Sequence, residues 1–145
     1  MSTNSRITKR ATTTTSLPEG LTLNSIACTQ ADKDLYVYYF CKLHPGRSII
    51  FANSIAVVRK LSTLLRMLDL PVYALHAQMQ QRQRLKNMDR FKAAKNCVLV
   101  ASDVAARGLD VPNVDYVIHY NIARTPVAFE ELLQPFETGH GMTFL

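Results

Sequence analysis

CVLVASDVAARGLDVPNVDYVIHY, residues 97–120, opens and closes on apolar runs and holds a polar, glycine-containing loop between them. CVLVA (97–101) and YVIHY (116–120) are short and continuous rather than alternating. That is the pattern of strands covered on both faces. Moving toward the amino terminus, SIIFA (48–52) and VYAL (72–75) repeat it. The segments between these runs have helical spacing. Ile55, Val58, Leu61, Leu65 and Leu68 mark one face, with Ser54 placed to cap the start. From Gln80, the apolar positions are Leu85, Met88 and Phe91, with basic residues between them. Strand-helix-strand repetition predicts an α/β fold, a parallel sheet with right-handed crossovers and helices on both faces.

Further toward the amino terminus, TLNSIAC (22–28) alternates enough for a strand. DKDLYVYYFCKL (32–43) begins on Asp and stops at His44-Pro45-Gly46, which favours a short helix, although its Tyr and Val residues leave a strand open. Residues 1–20 are polar, contain a Thr run and end in Pro-Glu-Gly, and are expected to be a flexible arm.

At 145 residues and 48% hydrophobic, the chain is long and apolar enough for one core. Its apolar stretches are strand-length, so no membrane partner is expected. The first 20 residues have no signal-peptide apolar region. Cys28, Cys41 and Cys97 lack metal spacing, and no His, Cys and acid set suggests a metal site. A reducing, intracellular compartment is expected. The net charge is +6 and unevenly spread. Arg82, Arg84, Lys86, Arg90, Lys92 and Lys95 face one acid, Asp89, across residues 76–95. Such a field can hold a polyanion, or can simply be a solvated helix face.

Ligands of open parallel sheets bind beyond the carboxyl ends of the strands. Asn53 and Ser54 follow the first apolar run; His76, Gln78 and Gln81 the second; Ser102 and Asp103 the third; Asn121 and Arg124 the fourth. Four polar ends on one rim predict a binding edge. His76 and His119 have no paired acid or nucleophile in view and read as packed residues.

ASDVAARGLDVPNVDYVIHY (101–120) is similar to motif V of DEAD-box RNA helicases and the strand after it. SIIFANS (48–54) resembles motif IV, and LHAQMQQRQRLKNMDRF (75–91) resembles motif IVa, in the family's order. The resemblance covers about residues 20–127 and implies the second, C-terminal RecA-like lobe of an ATP-dependent RNA helicase. It places Gly108 and Asp110 at ATP: glycine lets the backbone approach, and the carboxylate accepts from ribose hydroxyls. A turn at Gly108 capped by Asp110 is the structural alternative. Gln81, Arg84, Ser102 and Asn53 are implied for the RNA backbone, Arg84 through two parallel donors. Asp103 would fix its loop or bridge to a neighbouring motif. Arg107 would pair across the cleft with an acid of the first lobe, or form a surface ion pair. Ser102 stands where the family usually has Thr, Ala77 for Gly, and Gln78 for an acid, which leaves the rim more positive. YYF, PGRSIIFANS and LHAQM resemble a nucleolar branch acting in large ribosomal subunit assembly. That resemblance implies pre-ribosomal particles as partners, and the nucleus or nucleolus rather than the cytoplasm.

These 145 residues contain no G-x-x-x-x-G-K-[ST] and no Asp-Glu-Ala-Asp string, both features of the family's first lobe. ATP would therefore be shared with that lobe, and Mg²⁺ held only through it. After IARTP (122–126) the family's HRxGRxxR motif is expected, yet residues 127–145 contain no arginine. The expected organisation is thus a partial lobe over 21–126 and a tail at 127–145 unlike the family. The final sheet strands are expected to be missing, with no catalytic residue in this chain and no ATP hydrolysis by it alone. The alternative is a non-catalytic RNA-binding or helicase-regulating module. A DNA-translocating lobe on the same fold is a third reading, and SDVAARGLD argues against it.

Overall fold

A computed structural model of the protein describes residues 6–9, 23–106, 113–121 and 140–144. The strands are β1 (Arg6–Lys9), β2 (Leu23–Ala27), β3 (Arg47–Ala52), β4 (Val72–Leu75), β5 (Cys97–Ser102), β6 (Tyr116–His119) and β7 (His140–Phe144). The helices are α1 (Gln30–Leu43), α2 (Ile55–Met67), α3 (Gln81–Ala93) and the single-turn α4 (Asp103–Ala106). The strands form one sheet in the order β1-β2-β7-β6-β3-β5-β4. Every neighbouring pair is parallel except β1 and β2.

Side-chain alternation along the strands sorts the core into two layers. Ile49 and Phe51 join Leu75, Leu99, Ala101 and Val117 beneath Phe91 of α3 and Ala105 of α4. Ile50 and Ala52 join Val98, Val100 and Ile118 beneath Val37 and Cys41 of α1 and Val58, Leu61 and Leu65 of α2. Each fully buried side chain of Leu or Phe size contributes roughly 1.5–3 kcal/mol. The β3–α2–β4 and β4–α3–β5 crossovers run in opposite directions across the sheet, and their helices lie on opposite faces. One handedness for both crossovers requires that arrangement.

The helix ends follow local chemistry. Ser54 caps α2 as expected, its Oγ accepting from Val57 N at 3.2 Å. The start of α1 is earlier than Asp32, because Thr29 Oγ accepts from Asp32 N and caps the helix. At the end of α2, Asp69 takes φ 64°, Asp69 N donates to Arg66 O, and Leu70 N donates to Leu65 O. This is a Schellman closure with Asp where glycine is usual.

Two segments differ from expectation. The sheet does not stop at β6: β7 pairs parallel with β6 (Tyr116↔His140) and with β2 (Leu23↔Gly141). An unpaired parallel edge exposes a row of backbone donors and acceptors, and HGMTF is short and compatible enough to take it. Within the expected arm, Arg6–Lys9 pairs antiparallel with β2, Ile7 opposite Ile26. β-Branched Ile7 and Thr8 suit a strand.

Candidate nucleic-acid interface

Parallel register brings four strand ends to one rim. Ala52 pairs with Ser102, Leu75 with Ala101, and Phe51 with His119. Sheet order therefore sets the Asn121, Asn53, Ser102 and His76 positions side by side, one strand spacing of about 4.8 Å apart.

Two of these positions are tied together. Asn121 Oδ1 accepts from Asn53 N at 3.1 Å, and Tyr120 N donates to Phe51 O at 2.9 Å. The turn after β3 is thus fastened to the end of β6, and the Asn53 side chain stays exposed. Ser102 is buried, and its Oγ accepts from Ala105 N at 3.3 Å. Its hydroxyl proton is not used by that bond and can still be donated. Asp103 follows, half-buried, as the first residue of α4.

The β4 end is the basic part of the rim. His76 O accepts from Met79 N at 3.2 Å, closing a turn that leads into α3. Gln81 opens that helix and is exposed; Arg84 is half-buried. Gln80 offers no side-chain cap, so the first amides of α3 lack the bond a Ser or Asp would supply. Arg84 Nε and His76 Nδ1 are buried without a hydrogen-bond partner among the described residues. Burial, then the nearby Arg59 and Arg84 guanidiniums, hold His76 below its ordinary pKa. Arg59 reaches over from α2 and donates from Nη2 to Gln78 Oε1 at 2.9 Å. Gly108 and Asp110, expected at ATP, and Arg107, expected at the lobe interface, lie outside the described residues.

The family model for "Helicase conserved C-terminal domain" matches residues 31–135. The chain belongs to that family. It is a C-terminal helicase lobe of the DEAD-box type. The ATP-dependent RNA helicase ddx24 of Dictyostelium discoideum is 56% identical over 100 residues, 69% of this chain and 11% of that protein. The human ATP-dependent RNA helicase DDX24 is 52% identical over 107 residues, 74% of this chain and 12% of that protein. The lobe therefore spans about a ninth to an eighth of these relatives' length. Among solved structures, the Escherichia coli DEAD-box protein SrmB bound to regulator of ribonuclease activity A aligns with a TM-score of 0.74 at 26% identity. That alignment covers 82% of this chain and 73% of SrmB's. Domain 2 of the Mss116p DEAD-box helicase, bound to an RNA duplex, shares the fold, with a TM-score of 0.75 at 23% identity over 87% of this chain and 54% of its own.

Behind the rim, the lobe carries a polar network that sequence reading missed. The buried Tyr120 hydroxyl donates to Asp34 Oδ1 and accepts from Gln30 Nε2. Lys33 Nζ lies 4.9 Å from the Tyr120 ring centre, and Lys60 pairs with Asp34 at 3.4 Å. This network joins α1, α2 and the end of β6 directly beside Asn121. No motif announces it, because its members are separated along the chain.

Proposed function

We propose that the lobe grips the sugar-phosphate backbone of single-stranded RNA along this rim and forms one wall of an ATP site completed by a first RecA-like lobe. The observation that carries this reading is the row itself. Asn121, Asn53, Ser102 and the Gln81–Arg84 turn stand at neighbouring strand ends, and at the basic end Arg84 Nε has no hydrogen-bond partner among the described residues. Arg84 holds a phosphate; Gln81, Asn53 and Ser102 donate to further backbone oxygens. Contacts to 2′-hydroxyls favour RNA over DNA. By the sequence resemblance, Gly108 and Asp110 meet the nucleotide, and Asp103 and Arg107 serve closure onto the first lobe. Mg²⁺ belongs to that other lobe, and this chain alone hydrolyses no ATP. The same resemblance supports pre-ribosomal particles as partners and a nucleolar site of action.

The test is fluorescence anisotropy of a labelled single-stranded oligoribonucleotide. Affinity falls linearly on a log–log plot with salt, by about 0.7 per phosphate contacted. Arg84→Ala weakens binding alike for unrelated sequences and flattens that slope. Salt-independent binding, or binding indifferent to Arg84, contradicts the proposal. The absence of arginine from residues 127–145 favours a second reading, a non-catalytic RNA-binding or regulating module. The two differ in whether a first lobe added in trans produces RNA-stimulated ATP hydrolysis.

A further inference from the structure

The fold brings Arg59, an exposed residue of α2, to the basic end of the rim, where it bonds to Gln78. Arg59 stands on α2 and Arg84 on α3, helices packed on opposite faces of the sheet. Both are near enough to His76, which follows β4, to act on its charge, and β4 is an edge strand of the sheet that the described residues form. His76 is 6% exposed, and its Nδ1 has no hydrogen-bond partner among the described residues. Arg59 makes no ion pair among the described residues; its partner is the amide oxygen of Gln78. An amide orients a guanidinium without cancelling its charge, and it occupies only part of a five-donor fork. A carboxylate at position 78 would take two of those donors in a charge-neutral pair.

We propose that Arg59 is a second phosphate-gripping residue of the rim, made available because residue 78 is the neutral Gln78 rather than an acid. Arg59 and Arg84 then close on one stretch of RNA backbone from the two faces of the sheet edge. The inference rests on reading the rim as an RNA-backbone site and adds a contact to it. Gln78 is a positioning residue here: it aims Arg59 and leaves its charge uncompensated.

The experiment uses the full chain and a fluorescein-labelled oligouridylate, with Arg59→Ala, Gln78→Glu, the double variant and Arg84→Ala. Thermal melts establish that each variant is folded, the half-buried Arg84→Ala included. Arg59→Ala is expected to weaken binding about fivefold at low salt, the scale of an exposed ion pair. It should also make the log–log salt slope shallower by about 0.7. Gln78→Glu is expected to produce a similar loss by pairing Arg59. In the Arg59→Ala background, Gln78→Glu should change affinity by less than about twofold, since the two act through one contact. Arg59→Lys should recover part of the loss. A parallel titration with a fluorescent ATP analogue separates nucleotide phosphate from RNA phosphate. Loss of ATP affinity with RNA affinity unchanged overturns the proposal. An equal effect of Gln78→Glu in both backgrounds overturns it too, by exposing a general charge effect. If Arg59→Ala is silent while Arg84→Ala weakens binding, Arg59 is excluded and the rim reading stands. If both are silent, the rim reading itself fails.

Discussion

His119 makes the fold sensitive to mild acid, and replacing it with Phe should remove much of that sensitivity. It sits on β6, between β3 and β7, 1% exposed, with its ring 5.4 Å from that of Phe51. Burial lowers its pKa from 6.5 to about 4. A base whose folded pKa is depressed contributes its full stability above the unfolded pKa. Below pH 6.5 the unfolded chain takes a proton that the folded chain refuses, and stability falls until about pH 4. At about 1.4 kcal/mol per pH unit, the whole loss is about 3 kcal/mol, a large fraction of the roughly 5–15 kcal/mol typical of a domain. Urea unfolding at a series of pH values from about 7 to 4.5 measures it, since the midpoint falls by about 1 M per 1–3 kcal/mol lost. His119→Phe preserves a ring beside Phe51 and removes the titrating group, so its midpoint should vary much less between pH 6.5 and 5. The slope that remains includes His76, whose pKa burial also lowers. If the Phe variant keeps the wild-type slope, His119 is not the buried neutral base described here.

Tyr120→Phe removes the hydroxyl shared by Asp34 and Gln30 and should cost about 1–2 kcal/mol in urea unfolding. Burial and then Asp34 raise the Tyr120 pKa, so its contribution is complete below about pH 10 and lost as pH rises beyond it. The Phe variant should therefore be less sensitive than wild type to alkaline pH. Gly46 has φ 143°, and a Cβ there would meet Asp115 Oδ2 at 2.5 Å, so Gly46→Ala should destabilise by about 2 kcal/mol or more. Equal stability in a thermal melt would contradict that geometry. Burial pushes the Cys41 thiol up to about 12 and the Cys97 thiol up to about 11. Cys28, only partly buried, should thus react first with an aromatic disulfide reagent at neutral pH, with Cys41 and Cys97 following only on unfolding.

The central fold was legible because its strands are buried on both faces and written as continuous apolar runs, with helical spacing between them. Ser54 was readable as a cap because it directly precedes the apolar stripe of α2. Thr29 was not, because Asp32, three residues on, offers an equally plausible start. β7 was hidden for a different reason. HGMTF is only five residues long, it is not a continuous apolar run, and its partner β2 is far away in sequence. The rim residues could be named because ligands gather at the carboxyl ends of parallel strands, and Asn53, Ser102, Gln81 and Arg84 all occupy that edge. The Arg59–Gln78 bond spans 19 positions and the Tyr120–Asp34 bond 86, so neither pairing has a local signal. Each depends on which face a helix presents once the crossovers are made.

The most direct measurement of the account is the amide spectrum of the isotopically labelled chain during titration with a short single-stranded oligoribonucleotide. Backbone contact along the carboxyl-end rim predicts shifts concentrated at Asn53, His76 through Arg84, Ser102 and Asn121, weakening together as salt is added. The opposite end of the strands, where Gly46, Asp69 and Asn96 lie, should stay unchanged. Shifts gathered at Gly46, Asp69 and Asn96, with the rim silent, would contradict the central claim that this lobe holds RNA by the row of groups at its strand ends.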